Sequence, residues 1–82
     1  MRIELNGDGP VYLQVAEHFR SKILSGELQP AFALPTVRDL AEELGVSVQT
    51  AFNAYRKLKN EGLIAAHTRR GTVVAPQVIP QV

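Results

Sequence analysis

The 82 residues include no cysteine and no tryptophan, a single methionine and only two histidines. Without cysteine, neither a disulfide framework nor a thiolate metal site can form, which suits a reducing compartment. No run approaches the roughly 18 apolar residues of a membrane span, and the opening MRIELNGDG lacks an apolar signal segment. The expectation is a soluble, cytoplasmic protein with no membrane partner. Catalytic constellations are missing too. Helical spacing puts His18 on the outward side of a helix and His67 in a loop, with no spaced acid to complete a metal site. No serine has a histidine and an acid in a recognisable arrangement, and Gly7-Asp8-Gly9 is too short for a phosphate loop. These absences exclude an enzyme and imply no cofactor. At this length one domain is expected, burying only roughly 60–65% of its unfolded surface.

What the chain does have is helical periodicity with clear punctuation. Residues 1–9 form a lead-in, with Ile3 and Leu5 alternating as in a short strand and Asn6-Gly7-Asp8-Gly9 as a turn. Pro10 suits a first helical position, and Tyr12, Val15, Ala16, Phe19 and Ile23 then form one apolar stripe. Gly26 ends this helix, and Pro30 and Pro35 prevent its continuation. Thr36-Val37-Arg38-Asp39 has the form of a capping box. The second helix buries Val37, Leu40, Ala41 and Leu44 and stops at Gly45, with Val46 as an apolar plug. Ser47 caps a third helix over roughly 47–61 with Ala51, Ala54, Tyr55 and Leu58 inward. Two helices around so tight a turn make a helix-turn-helix. Leu63–Ala66 and Thr72–Ala75 read as strands joined by a basic tip over 67–71. The predicted fold is mainly α with a small β-hairpin, a three-helix winged helix-turn-helix over 10–75, followed by a tail or truncated linker over 76–82.

The net charge of +1 says little, but its distribution says more. Arg56, Lys57 and Lys59 sit together, Arg69 and Arg70 mark the hairpin tip, and Asp39, Glu42 and Glu43 lie elsewhere. On the third helix Gln49, Asn53, Arg56 and Asn60 project opposite the apolar side, with Thr50 and Lys57 on one edge and Phe52 and Lys59 on the other. The major groove of DNA admits a helix, and Gln and Asn pair with the N6–N7 edge of adenine. Arg38 lies in a helical first turn, where the dipole disfavours a cation unless a phosphate docks there. A partnership with Glu42 is the plainer account of Arg38, though its order opposes the dipole. Arg69 and Arg70 beside Gly71 suit a narrow minor groove or the backbone.

The string from Pro10 to Ile64 and the Arg69-Arg70-Gly71-Thr72 tip resemble the N-terminal DNA-binding domain of GntR-family bacterial transcription regulators. Three blocks carry the resemblance: Pro10-Val11-Tyr12-Leu13-Gln14, Ile23-Leu24-Ser25-Gly26-Glu27-Leu28-Gln29-Pro30 and Leu34-Pro35-Thr36-Val37-Arg38-Asp39-Leu40-Ala41. The Pro-Val-Tyr start and Leu-Pro-Thr-Val-Arg form look most like the small YtrA-type branch. The resemblance implies a homodimer on a palindromic double-stranded operator, with Arg38, Ser47, Gln49 and Thr50 at contacting positions and Arg70-Gly71-Thr72 as the wing motif. The chain departs from the family at Val48 and Phe52, where many members carry arginine, and at Pro30-Ala31, where Pro-Gly is usual. Members also carry a C-terminal effector-binding or dimerisation domain. The expectation is therefore either a fragment of a longer regulator or a minimal one that dimerises otherwise, and no effector is implied.

The expected function is that of a sequence-specific transcriptional regulator, a repressor that occupies its operator. Gln49, Thr50 and Asn53 read the major groove with Arg56 in support, Thr36, Arg38 and Ser47 position the protein on phosphates, and Arg69 and Arg70 serve the wing. Phe52 meets a thymine methyl, with packing against a dimer mate as the alternative. Two rivals keep the fold: a protein-interaction winged helix, and a DNA-binding accessory factor of a mobile element.

Overall fold

The computed structural model describes residues 7, 9–69 and 71–76, with the backbone alone for His67 and Thr68. The expected Ile3–Leu5 strand and Arg70 lie outside the described residues. Three helices and a hairpin follow in chain order: α1 (Val11–Leu24), α2 (Val37–Leu44), α3 (Val48–Asn60), β1 (Ile64–Thr68) and β2 (Gly71–Val74).

Helical spacing explains what each helix buries. α1 turns Val15, Ala16, Phe19 and Ile23 inward, α2 Leu40 and Ala41, and α3 Ala51, Ala54, Tyr55 and Leu58. Leu28, Leu34, Leu63, Ile64 and Val74 complete one core, and Val46 packs against it as the expected plug. Thr36 accepts from the Asp39 amide at 3.0 Å, whereas Asp39 makes no return bond to Thr36, so only half of the capping box forms. Gly45 ends α2 in the left-handed conformation, at φ 67°. Pro10 proves to be the cap before α1 and not its first residue.

Three departures from the sequence expectation have physical causes. The hairpin strands reach further, through Thr68 and from Gly71, leaving a two-residue tip. Gly71 at φ 85° turns the chain at once, and the pairing is irregular between Ala65 and Thr68. Residues 31–34, to which the sequence assigns no element, hydrogen-bond to the outer side of β2. Ala31 and Leu34 amides donate to the Val74 and Thr72 carbonyls, each at 2.8 Å, and the Val74 amide donates to Phe32 at 3.0 Å. Third, His18 is half-buried and not outward. It follows Val15 by three residues, on the flank of the buried stripe, and meets Phe19 edge-on at 5.8 Å. Burial, then the charge of Lys22, lowers its pKa.

α1 and α3 are also joined at the surface. The Arg20 guanidinium donates through Nε and Nη2 to both carboxylate oxygens of Glu61, at 2.8 and 2.7 Å, and also bonds Glu17. Lys57 reaches Glu61 at 3.1 Å. Hydrogen bonds from Arg20 chiefly, with Lys57 adding, hold the Glu61 carboxyl below its usual range.

The turn Gln29–Phe32 closes with the Phe32 amide donating to Gln29 at 3.0 Å, and its third residue, Ala31, sits at φ 71°. That is a type II position, which favours glycine. Ala31→Gly should raise stability by about 0.5–1 kcal/mol, read as a higher midpoint in urea unfolding. A second prediction concerns pH. A lowered folded pKa stabilises above the unfolded value, and that contribution disappears as pH falls through the folded value. Glu61→Gln should therefore cost stability at pH 7, by less than about 1 kcal/mol for so exposed a pair. The gap should close below pH 4.5, the ordinary value for the group.

Candidate nucleic-acid interface

Helix α3 is core on one side and bare on the other. Val48 and Phe52, 53% and 48% exposed, stand among Gln49, Arg56, Lys59 and Asn60, all exposed, while Asn53 and Thr50 are half-buried. The sequence pattern permits nothing else, because Ala51, Ala54 and Leu58 are fully buried and set the helix rotation.

Hydrogen bonds order the first turns of this helix. Ser47 accepts from the Thr50 amide at 3.0 Å and donates its hydroxyl proton to Thr50 Oγ1 at 2.8 Å. Gln49 Nε2 donates to Asn53 Oδ1 at 3.0 Å. No acidic residue lies in the first turn, so the amides and dipole at the helix start face no competing carboxylate within the helix.

Ion pairing sorts the cations. Arg20, Lys22 and Lys57 are paired with carboxylates. The side chains of Arg38, Arg56, Lys59 and Arg69 bond to nothing among the described residues, and Arg38 makes no pair with Glu42, the plainer account of it. The basic cluster at 56–59 is thus weakened at Lys57 and intact at its ends. Arg38 is exposed in the first turn of α2, Arg69 is exposed at the wing tip, and Gly71 opens β2.

Two grooves flank the α3 face, and Arg56 lines both. A polar one of about 500 Å³ runs between Tyr12, Asn53, Lys57 and Glu61. Another, of about 280 Å³, lies toward the wing between Phe52, Tyr55, Lys59, Ile64 and Thr72. Tyr12 belongs to the apolar stripe in sequence, yet its half-buried ring borders the polar groove. The Pro10-Val11-Tyr12 block gave the signal, since a phenol at a stripe's margin has a polar end to place.

A family model described as bacterial regulatory proteins, gntR family, matches residues 11–74. The chain belongs to this family. It is 38% identical over 81 residues to the HTH-type transcriptional repressor NagR of Bacillus subtilis, covering 99% of this chain and 33% of NagR. It is 31% identical to the repressor YtrA of the same organism, over 92% of this chain and 58% of YtrA. The chain thus spans a third to somewhat over half the length of these relatives. YtrA from Sulfolobus acidocaldarius, a GntR-family transcription factor, superposes with a TM-score of 0.83 at 39% identity, covering 94% of this chain and 81% of that one. AraR(DBD) in complex with operator ORX1 superposes with a TM-score of 0.74 at 32% identity, over 92% of this chain and 99% of that one. The fold is the winged helix-turn-helix of the GntR family.

What holds the α3 face in place is Tyr55. Its ring meets Phe19 at 5.9 Å, edge on, and its hydroxyl donates to the Pro35 carbonyl at 2.7 Å, one residue before the α2 cap. Burial, and then the charge of Glu43, raises the phenol pKa, so the proton stays on the donor. Tyr55→Phe leaves that carbonyl without its donor and should lower stability by about 1–2 kcal/mol in urea unfolding.

Proposed function

We propose that residues 10–75 form the DNA-binding domain of a transcriptional regulator that recognises a specific double-stranded operator. The protein acts without catalysis, in the cytoplasm, as a repressor occupying its site. The observation that carries this reading is the sorting of the cations. Those without partners among the described residues stand at the α2 start, on the bare side of α3 and at the wing tip. Side chains left unpaired at three such places suit a polyanion that runs along all of them. Family membership and likeness to AraR(DBD) on its operator support the same reading.

In this proposal α3 enters the major groove. Gln49, Thr50 and Asn53 meet base edges or the adjoining backbone, and Arg56 continues the contact along the helix. Arg38 and the two capped helix starts, at Thr36 and Ser47, take phosphates, and Phe52 offers apolar contact to a thymine methyl. Arg69, Arg70 and Gly71 place the wing at the minor groove. Two copies on a palindrome, with half-sites about one DNA turn apart, give affinity that one domain on one half-site lacks.

The test is selection of bound sequences from random DNA by the 82-residue chain, followed by titration of the winner at about 50 and 200 mM salt. A palindrome and steep salt dependence are expected. Arg38→Ala should weaken all sequences alike and reduce the salt slope by about one. Absence of any binding at low salt overturns the proposal.

A further inference from the structure

The amide pair on α3 has a polarity that the sequence does not reveal. A carboxamide offers one carbonyl oxygen and two N–H donors. Gln49 uses one N–H on Asn53 Oδ1, at 3.0 Å. Gln49 therefore keeps its oxygen and a second N–H, the acceptor and donor that adenine N6–H and N7 require together. Asn53 keeps two N–H groups, but its oxygen already receives Gln49. That bond takes one of the two lone pairs of the Asn53 oxygen and ties the carboxamide to Gln49, so its two N–H groups are the capacity it keeps in full. Those two N–H groups fit the O6 and N7 of guanine or the O4 of thymine.

Building on the DNA reading above, we infer that Gln49 is the adenine reader of this helix and Asn53 its positioning residue. Asn53 itself offers its N–H groups to acceptor atoms on a neighbouring base. A long exposed glutamine loses rotamer freedom when it binds, and the bond to Asn53 restricts that freedom beforehand. Ser47 treats Thr50 similarly. The two hydroxyl oxygens lie 2.8 Å apart, so one proton bridges them and the other remains to donate outward. Phosphate oxygens, which only accept, suit that proton.

The experiment compares base preferences selected by the unmodified 82-residue chain, Gln49→Ala, Asn53→Ala and Asn53→Asp. Gln49→Ala should abolish an adenine preference at one position per half-site and weaken binding about 10–100-fold. Asn53→Ala should blur that same adenine and also relax a neighbouring guanine or thymine. Asn53→Asp keeps an oxygen for Gln49 while removing both donors, so the adenine preference should survive and the neighbouring one should not. Placing 7-deazaadenine at the adenine should weaken the unmodified chain several-fold and Gln49→Ala not at all. The inference is overturned if Asn53→Ala relaxes an adenine at a separate position and leaves the Gln49 position intact. The two amides are then independent readers, and the DNA reading stands. If the unmodified chain selects no sequence and binds no DNA at low salt, the DNA reading itself fails, and this inference with it.

Discussion

One helix of 13 residues has to be core on one side and remain bare on the other. Ala51 and Ala54, both fully buried, keep that side of α3 small so that its neighbours approach closely, and Leu58 and Tyr55 fill what remains. Close packing of this kind does not deform continuously, so the rotation of α3 about its axis is over-determined. The direction of Gln49, Phe52 and Arg56 follows from buried residues that touch nothing outside.

The segment from Ala31 to Thr36 is where the parts are tied together. Its backbone pairs with β2, its Pro35 carbonyl receives the Tyr55 hydroxyl, and its last residue caps α2. Wing, α3 and the start of α2 therefore share one short anchor. A left-handed alanine opens it, a local conflict tolerated because the surrounding bonds fix the turn. On the far side, the fork of Arg20 onto Glu61 clamps the end of α3 to α1.

Much of this was legible in the sequence. Periodicity gave the inward faces of all three helices, and Gly26, Thr36, Gly45 and Ser47 marked their boundaries, because caps and apolar stripes are local in the chain. Pairing of residues 31–34 with β2 was not legible. Backbone groups make it, between two prolines, and no alternation of side chains announces it. The Arg20–Glu61 fork spans 41 residues of sequence and leaves no pattern. Strand ends were misplaced because Gly71 serves equally as loop or strand until its φ is known. At the candidate site, residue identity and helical face came from spacing. Which cations were already paired, and which amide held which proton, depended on side-chain geometry.

Val48 and Phe52 give the proposed DNA surface its particular chemistry. Each is about half exposed where many members of the family carry arginine. Exchanging a cation for an apolar group removes a contact that is indifferent to sequence and salt-sensitive. An apolar group in the major groove gains from a thymine methyl and from nothing on a phosphate. On the proposed reading, the surface depends less on the charge of α3 and more on base edges, with Arg38 and the wing supplying the electrostatic share. On that reading the helix should tolerate fewer substitutions in its operator, since the compensating attraction to any DNA is smaller. Phe52 also borders, with Tyr55 and Ile64, the groove leading from α3 to the wing. It links the two elements that the proposal places in adjacent grooves of the duplex.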